Sequence, residues 1–181
     1  MVHVKKLADC CRRAGIAETR RLALPLLPRI FADPEFVIRQ ALADELAPIC
    51  AFLRESDDLP QPPAVTENGV GSPAAAAEPR FGYQYICLQI MPLLTKLLVD
   101  PALEVRGSAG HALVALARVL DALDMEQRVL TSVLCLAHDD HDEHRSTAVA
   151  LLHELAPVLG RDLCRSFVGH ELVAMRHVAV G

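Results

Sequence analysis

The apolar residues of this chain follow a helical period, and the same pattern returns in three segments. In each segment apolar residues stand 3, 7, 10, 11 and 14 positions after an arginine. These offsets fall on one stripe of an α-helix. The stripes are Leu42, Leu46, Ile49, Cys50 and Leu53 after Arg39, Ala109, Leu113, Leu116, Ala117 and Leu120 after Arg106, and Ala148, Leu152, Leu155, Ala156 and Leu159 after Arg145. The pattern therefore predicts three amphipathic helices that bury equivalent faces.

An aspartate stands six positions before each of these arginines, at Asp33, Asp100 and Asp139. Aspartate caps helices, and the proline that follows it in the first two copies fits the first helical turn. Each aspartate therefore marks a turn between a preceding helix and the amphipathic one. The aspartates are 67 and 39 residues apart, and the longer spacing contains a proline-rich and alanine-rich insert. A helix–turn–helix unit with a period of about 40 residues is typical of HEAT repeats.

We therefore predict an all-α fold, an α-solenoid of about three HEAT repeats plus a terminal unpaired helix, with a disordered inter-repeat insert. Gly15 and Gly160 are predicted helix ends. The insert lacks a continuous apolar face, which is typical of disorder. The predicted boundaries are 1–54 for an N-terminal helix and the first repeat, 55–80 for the flexible insert, 81–122 for the second repeat, 123–160 for the third, and 161–181 for the start of a fourth repeat that is cut short.

The recurring turn residues have a predicted structural role and a predicted binding role. The aspartate can accept hydrogen bonds from N–H groups that open the next helix. The arginines Arg39, Arg106 and Arg145 can reach the turn acid of their own or a neighbouring repeat, which would form a ladder between repeats. Because the turns of a solenoid line up along one edge, we predict that partner proteins contact Asp33, Glu35, Asp100, Glu104, Asp139 and Asp142.

Composition and charge narrow the classes of partner. The chain has 52% hydrophobic residues and a formal net charge of −5, without a basic stripe, which argues against nucleic acid as a principal partner. No apolar run reaches the roughly 18 residues that a membrane span needs. The cysteines form no Cys-x-x-Cys pair, so we expect free thiols in a reducing compartment. The expected location is the cytoplasm, with the nucleus as a second compartment, and no cofactor is predicted.

The polar turn from His138 to His144 contains histidine and carboxylate side chains, which are common metal ligands. One turn rarely directs three side chains to one point, so we interpret this segment as a solvated polar loop with a helix cap. The sequence contains no glycine-rich phosphate loop, Gly-x-Ser-x-Gly elbow or His-Glu-x-x-His motif. A non-catalytic protein is therefore predicted.

The stretch from about Leu26 to Leu172 resembles the HEAT-repeat regulatory and scaffolding subunits of type 2A-like serine/threonine protein phosphatases, of the protein phosphatase 4 regulatory subunit 1 type. The motifs that carry the resemblance are Leu-Leu-Pro-Arg-Ile-Phe at 26–31 with Asp33-Pro34, Val-Ile-Arg-Gln-Ala at 37–41, Leu-Ala-His-Asp-Asp at 136–140, and Glu-Leu-Ala-Pro-Val-Leu-Gly at 154–160 followed by Leu163-Cys164 and Phe167-Val168. The resemblance implies a non-catalytic subunit that holds a phosphatase catalytic subunit and directs it to substrates. Arrays in that family are longer than three repeats, so this chain is expected to be part of one.

Two other functions stay open. A generic HEAT-repeat adaptor would share the same fold without a phosphatase link. The segment from Leu152 to Gly160 also resembles a helix of deoxyhypusine hydroxylase, a HEAT-like iron enzyme that uses repeated His-Glu pairs. This chain has such pairs at His153-Glu154 and His170-Glu171. In that family, however, the pair directly follows the Val-Arg of the repeat, whereas here Ser146-Thr147 follows Arg145.

Overall fold

A computed structural model of the chain describes residues 4–58, 80–163 and 165, the side chains of residues 162 and 163 excepted. Within these ranges all regular elements are helical and no strand occurs. The structure thus confirms the predicted all-α solenoid. Most of the predicted insert and most of the segment from 161 to 181 lie outside the described residues.

The helices follow one another in pairs. After a 3₁₀ turn at Val4–Lys6, the α-helices in chain order are α1 (Leu7–Glu18), α2 (Leu27–Phe31), α3 (Phe36–Asp57), α4 (Phe81–Tyr85), α5 (Met91–Leu97), α6 (Leu103–Ala117), α7 (Ala122–Asp124), α8 (Thr131–Ala137) and α9 (Asp142–Leu163). The first helix of each pair ends with α2, α5 or α8, and the second helix is α3, α6 or α9. We refer to these as pairs 1, 2 and 3.

Each first helix contains a π-helical segment at the same position. These segments begin at Thr19, Ile86 and Met125, which are 67 and 39 residues apart, the same spacings as the turn aspartates. In pairs 1 and 2 a proline follows, Pro25 or Pro92. A proline ring clashes with the preceding turn of a regular helix, and a wider turn relieves that clash. Pair 3 has no proline there, and we have no physical account of its π segment.

Glycine ends two of the helices as the sequence predicts. Gly15 within α1 has φ +79°, and Gly160 within α9 has φ +74°. A residue with a Cβ atom rarely adopts a φ of this sign, so glycine is favoured there. Both residues interrupt the helical backbone. Gly15 divides α1 into a part before it and a last turn that continues into the π segment, and Gly160 shortens the regular part of α9.

The core lies between two layers of helices. The second helices pack side by side, α3 against α6 and α6 against α9, and the first helices cover them, with α5 on α6 and α8 on α9. The predicted stripe is fully buried in α3, from Leu42 to Leu53. In the later copies Leu120 and Leu152 are only partly buried and Ala156 is exposed, so the prediction of a buried stripe is wrong at Ala156. The pairs therefore share one continuous apolar core, as expected for stacked repeats.

Pair 1 contacts pair 2 directly although residues 59–79 separate them in sequence. The Asp57 carboxylate at the end of α3 accepts hydrogen bonds from the N–H groups of Gly82 and Tyr83, at 2.8 and 2.7 Å, and so caps α4. A Cβ atom on Gly82 would lie 2.1 Å from the carbonyl oxygen of Leu53, so only glycine permits this approach. The stack of helices is thus continuous across the insert.

Candidate functional site at the turn edge

The three turns between first and second helices share one backbone geometry. In each turn the aspartate carboxylate accepts a hydrogen bond from the N–H group two residues later. The bonds are Glu35 N–H to Asp33 at 2.9 Å, Ala102 N–H to Asp100 at 3.0 Å, and His141 N–H to Asp139 at 2.9 Å. An aspartate that folds its own backbone in this way is an Asx turn. The three turns are therefore structurally equivalent.

The three arginines bind these turns in the same manner. One terminal nitrogen of each guanidinium, Nη1, donates to two successive carbonyl oxygens of the turn six and five residues earlier. Arg39 donates to Asp33 and Pro34 at 2.7 and 3.0 Å, Arg106 to Asp100 and Pro101 at 2.8 and 3.1 Å, and Arg145 to Asp139 and Asp140 at 2.9 Å each. Each arginine thus locks its own turn onto the second helix, while Nε and Nη2 remain for other acceptors.

Arg39 uses those two nitrogens to join pair 1 to pair 2. Its Nε and Nη2 donate to the two carboxylate oxygens of Asp100 at 2.7 and 2.8 Å. Burial raises the pKa of Asp100, but the hydrogen bonds from Arg39 and Ala102 and the charges of Arg39 and Arg106 outweigh it and lower the pKa. Asp100 is only 7% exposed. The prediction of Asp100 as a partner contact is therefore wrong, because its carboxylate is buried and bound within the chain.

Arg106 has no equivalent bond to pair 3. It is 6% exposed, and its Nη2 lies 3.7 Å from a carboxylate oxygen of Glu143, a side chain that is largely exposed. Its Nε is buried and forms no hydrogen bond with any described residue. The carboxylate at the equivalent position of pair 3, Asp139, contacts histidines of its own turn. The junction between pairs 2 and 3 therefore lacks the two-bond link that joins pairs 1 and 2.

Asp139 instead faces two histidines of its own turn. Its Oδ1 lies 2.9 Å from Nδ1 of His141 and 2.9 Å from Nδ1 of His144. The His141 N–H group, then the two imidazoles, hold the pKa of Asp139 well below its usual value. The third arginine, Arg145, pairs through Nη2 with Asp142 in the same turn.

One nitrogen from each histidine and one oxygen of Asp139 all lie within 4.8 Å of one another. The expectation that one turn would not bring three such side chains to one point is wrong. Asp139 accepts from the N–H group of His141, the residue before α9, and His144 is only 15% exposed. The turn is therefore not a fully solvated loop, because one of its histidines is largely buried.

The other predicted partner contacts lie on the surface of the turn edge. Glu35, Glu104 and Asp142 are exposed, and Asp33 and Asp139 are partly exposed. The Arg39–Asp100 pair holds the first and second turns next to each other, and the contact of Arg106 with Glu143 places the third turn beside the second. The edge thus presents a row of carboxylates in a fixed order.

A groove of about 650 Å³ lies between α6 and α9 and opens at this edge. Small side chains or glycine form part of both walls, with Gly107 and Gly110 on α6 and Ser146 and Ala150 on α9, and Arg106 stands in the lining. Sequence reasoning did not predict this groove. The signal was present at Gly107, because no atom lies within 4 Å of the place where its Cβ would stand, whereas Gly110 lets Leu151 approach α6 closely.

The residues of the iron-enzyme alternative are not brought together among the described residues. His153 and Glu154 are exposed on α9. His170 and Glu171 lie outside the described residues. The one described cluster with metal-ligand chemistry is the unrelated group of Asp139, His141 and His144.

Comparison with known proteins finds one HEAT repeat in the chain and distant relatives of a regulatory subunit. The HEAT repeat family model matches residues 90–120. The chain is similar to serine/threonine-protein phosphatase 4 regulatory subunit 1 of Rattus norvegicus, with 24% identity over 168 residues, which cover 91% of this chain. The proteins of the same name from Mus musculus and Homo sapiens are 23% identical over the same length.

The chain spans 15% of the length of these relatives. The HEAT match, the helical stack and the distant similarity to a regulatory subunit together support a non-catalytic scaffold or adaptor role. Regarding membranes, none of the helices at 4–58 and 80–163 has the length and apolar character to cross a bilayer.

Proposed function

We propose that this chain is part of a scaffold subunit that binds the catalytic subunit of a type 2A-like serine/threonine protein phosphatase and directs it to substrates. The similarity to a phosphatase 4 regulatory subunit over 91% of the chain supports the choice of partner. The observation that carries the proposal is the turn edge, where a buried arginine–aspartate pair fixes neighbouring turns and leaves exposed carboxylates in a row.

The chemistry of this edge favours a partner surface with basic residues. Glu35, Glu104 and Asp142 are the exposed acids of turns 1, 2 and 3. Opposite charges across an interface mainly raise the association rate and select the partner, and salt screens them. We therefore expect a complex that forms faster at low ionic strength. We also place this scaffold in the cytoplasm, with the nucleus as a second compartment.

The test is an affinity purification of the tagged chain followed by mass spectrometry, with matched charge variants. The test variant carries Glu35→Lys, Glu104→Lys and Asp142→Lys together. The control variant changes the net charge equally at exposed acids away from the turns, with Asp44→Lys, Asp58→Lys and Glu126→Lys. We expect the wild-type chain and the control to recover a type 2A-like catalytic subunit, and the test variant to recover at least tenfold less, since each like-charge contact costs about a kcal/mol or more.

Two results would contradict this proposal in different ways. If wild type recovers other proteins but no phosphatase catalytic subunit, the chain is a HEAT-repeat adaptor without a phosphatase link. If both charge variants lose the phosphatase equally, the edge is not the contact surface, and net charge alone explains the loss. Circular dichroism of all three proteins establishes that the variants are folded.

A further inference from the structure

The third turn differs from the other two at three positions, 140, 141 and 144. Asp140 stands where the first two turns have proline, and His141 stands where they have Glu35 and Ala102. His144 replaces a core-facing residue, since the equivalent Val105 in the second pair is completely buried. A histidine at a core position needs a partner for its ring nitrogens, because an unpaired buried polar group costs free energy.

Both histidines turn the same ring nitrogen toward one oxygen. Nδ1 of His141 and Nδ1 of His144 each lie 2.9 Å from Oδ1 of Asp139, and their ring centroids are 5.1 Å apart. The Asx turn orients this carboxylate through the N–H group of His141. The two rings and the carboxylate thus converge from a single turn and the first residues of α9.

The two contacts differ in geometry. Nδ1 of His141, when it carries the proton, donates a hydrogen bond to Oδ1 of Asp139. Nδ1 of His144 lies at the same distance from that oxygen and is buried, but this contact lacks well-aligned hydrogen-bond geometry. A cation bound between the carboxylate and the two rings would give this buried nitrogen a direct partner.

We propose that Asp139, His141 and His144 form a binding site for a divalent transition-metal cation, with Zn²⁺ as the best fit. Two imidazole nitrogens and one carboxylate oxygen are ligands that Zn²⁺ prefers. Bonds of about 2.0–2.2 Å to Zn²⁺ place neighbouring ligand atoms about 3.0–3.5 Å apart. The three atoms here lie within 4.8 Å of one another, so small rotations of the rings complete the geometry.

The site has a defined place in the molecule. It closes the turn that carries Asp142, at the junction where Arg106 contacts pair 3 through the exposed Glu143, at 3.7 Å, and not through the turn aspartate. Three protein ligands on a tetrahedral cation leave one position for water or for a donor atom of a bound protein. Metal binding and phosphatase binding are separate claims, because the cation needs only residues of this chain.

The test is a titration of the purified full chain with Zn²⁺ alone and with Co²⁺ alone. The protein carries a tag without histidine, and a chelator followed by desalting removes bound metal. Isothermal titration calorimetry gives the stoichiometry and the dissociation constant. The visible spectrum of the Co²⁺ complex reports nitrogen and oxygen ligands, whereas cysteine ligation would add an intense thiolate charge-transfer band.

Matched variants locate the bound cation. His141→Ala removes one ligand from a side chain that is 74% exposed, and Asp139→Asn removes the carboxylate charge while an amide oxygen can still accept the bond of the Asx turn. The controls are His111→Ala and His153→Ala, two exposed histidines outside the site. We expect one Zn²⁺ per wild-type or control chain, and at least about tenfold weaker binding in both site variants, as loss of an outer-shell partner alone costs 10–100-fold.

The proposal would be overturned by three results. One is the lack of Zn²⁺ binding by the wild-type chain. Another is unchanged affinity in His141→Ala and Asp139→Asn, because the cation would then sit elsewhere. The third is a thiolate charge-transfer band in the Co²⁺ complex at equal stoichiometry. Circular dichroism shows whether a variant that loses binding is still folded, and His141→Ala decides the outcome because its side chain contributes little buried surface.

Discussion

Replacement of Arg39 by methionine tests the central packing claim, that this residue joins the first two helix pairs. The change retains the length and apolar stem of the side chain but removes two charge-assisted bonds to Asp100 and two bonds to turn carbonyls. It also leaves the Asp100 carboxylate, which is only 7% exposed, without its main cation. Removing one partner of a buried ion pair typically costs about 3–5 kcal/mol.

Arg106→Met is the matched comparison. Arg106 makes the same two carbonyl bonds, but the carboxylate that pairs with it among residues 4–58 and 80–163 is that of the exposed Glu143, at 3.7 Å. Hydrogen bonds of this kind contribute about 0.5–1.5 kcal/mol each, so we expect a loss of about 1–3 kcal/mol. Arg21→Met removes an exposed pair with Glu18 and should stay within about 0.5 kcal/mol of wild type.

Thermal unfolding followed by circular dichroism measures the difference. A chain of this size loses about 2–4 °C in Tm per kcal/mol. We therefore expect Arg39→Met to lower Tm by about 6–20 °C, clearly more than Arg106→Met, while Arg21→Met stays near wild type. Equal losses for Arg39→Met and Arg106→Met would refute the reasoning, because the two arginines differ chiefly in their carboxylate partner.

The pH dependence gives a second check on the same pair. The folded pKa of Asp100 is lowered, so its contribution to stability is present above the unfolded value of about 3.9 and is lost as the pH falls through the folded value. In Arg39→Met the burial that raises the pKa of Asp100 is no longer outweighed by Arg39, so the variant is relieved as Asp100 becomes protonated. The Tm difference should therefore be largest near pH 7 and shrink as the pH falls toward about 4. A difference that is the same at pH 7 and at about pH 3 would indicate that another group carries the effect.

Two further predictions concern glycines and thiols. Gly82→Ala should destabilise by about 1–3 kcal/mol or more, because its Cβ would lie 2.1 Å from the backbone oxygen of Leu53. Gly107→Ala, with no atom within 4 Å of its Cβ, should instead stabilise by about 0.5–1 kcal/mol in urea unfolding, and a loss there would show that α6 does not tolerate a side chain at this place. In native alkylation followed by peptide mass spectrometry, exposed Cys10 should react at once, whereas Cys50, whose pKa is raised by complete burial, should react only on unfolding. Equal labelling rates for the two thiols would contradict the packing of α3.

The sequence was sufficient to predict the second helices and most of their buried faces, but it did not predict the π-helical segments or the exposure of Ala156. The helices are predictable because each amphipathic stripe sums a preference over several turns, and the glycines at 15 and 160 mark ends that few other residues can form. The repeat of Asp33, Asp100 and Asp139 likewise identified three equivalent turns. Local chemistry is enough for such features, because the donor and acceptor lie within a few residues of each other.

The same pattern does not predict which carboxylate each arginine side chain binds. Arg39 and Arg106 occupy equivalent positions, yet the first binds Asp100, 61 residues away, and the second binds no turn aspartate of pair 3. The difference depends on His141 and His144, which face Asp139 in the third turn. A long, flexible arginine side chain binds a carboxylate that the neighbouring pair leaves within reach. Which carboxylate is within reach depends on contacts between the pairs, and these are not local in sequence.

The two junctions between helix pairs differ in their arginine contacts, and this difference explains why the groove and the histidine cluster both lie at the junction of pairs 2 and 3. Where Arg39 holds Asp100 with two bonds, α3 and α6 pack closely, and the stripe of α3 is fully buried. Where Arg106 has no such partner, Gly107 on α6 and small residues on α9 line a groove of about 650 Å³, and the third turn brings two histidines and a carboxylate together. One junction of the stack is thus joined by two charge-assisted bonds, and the other contains a groove. A partner that uses the edge would therefore be positioned by turns 1 and 2 and selected at the junction of pairs 2 and 3.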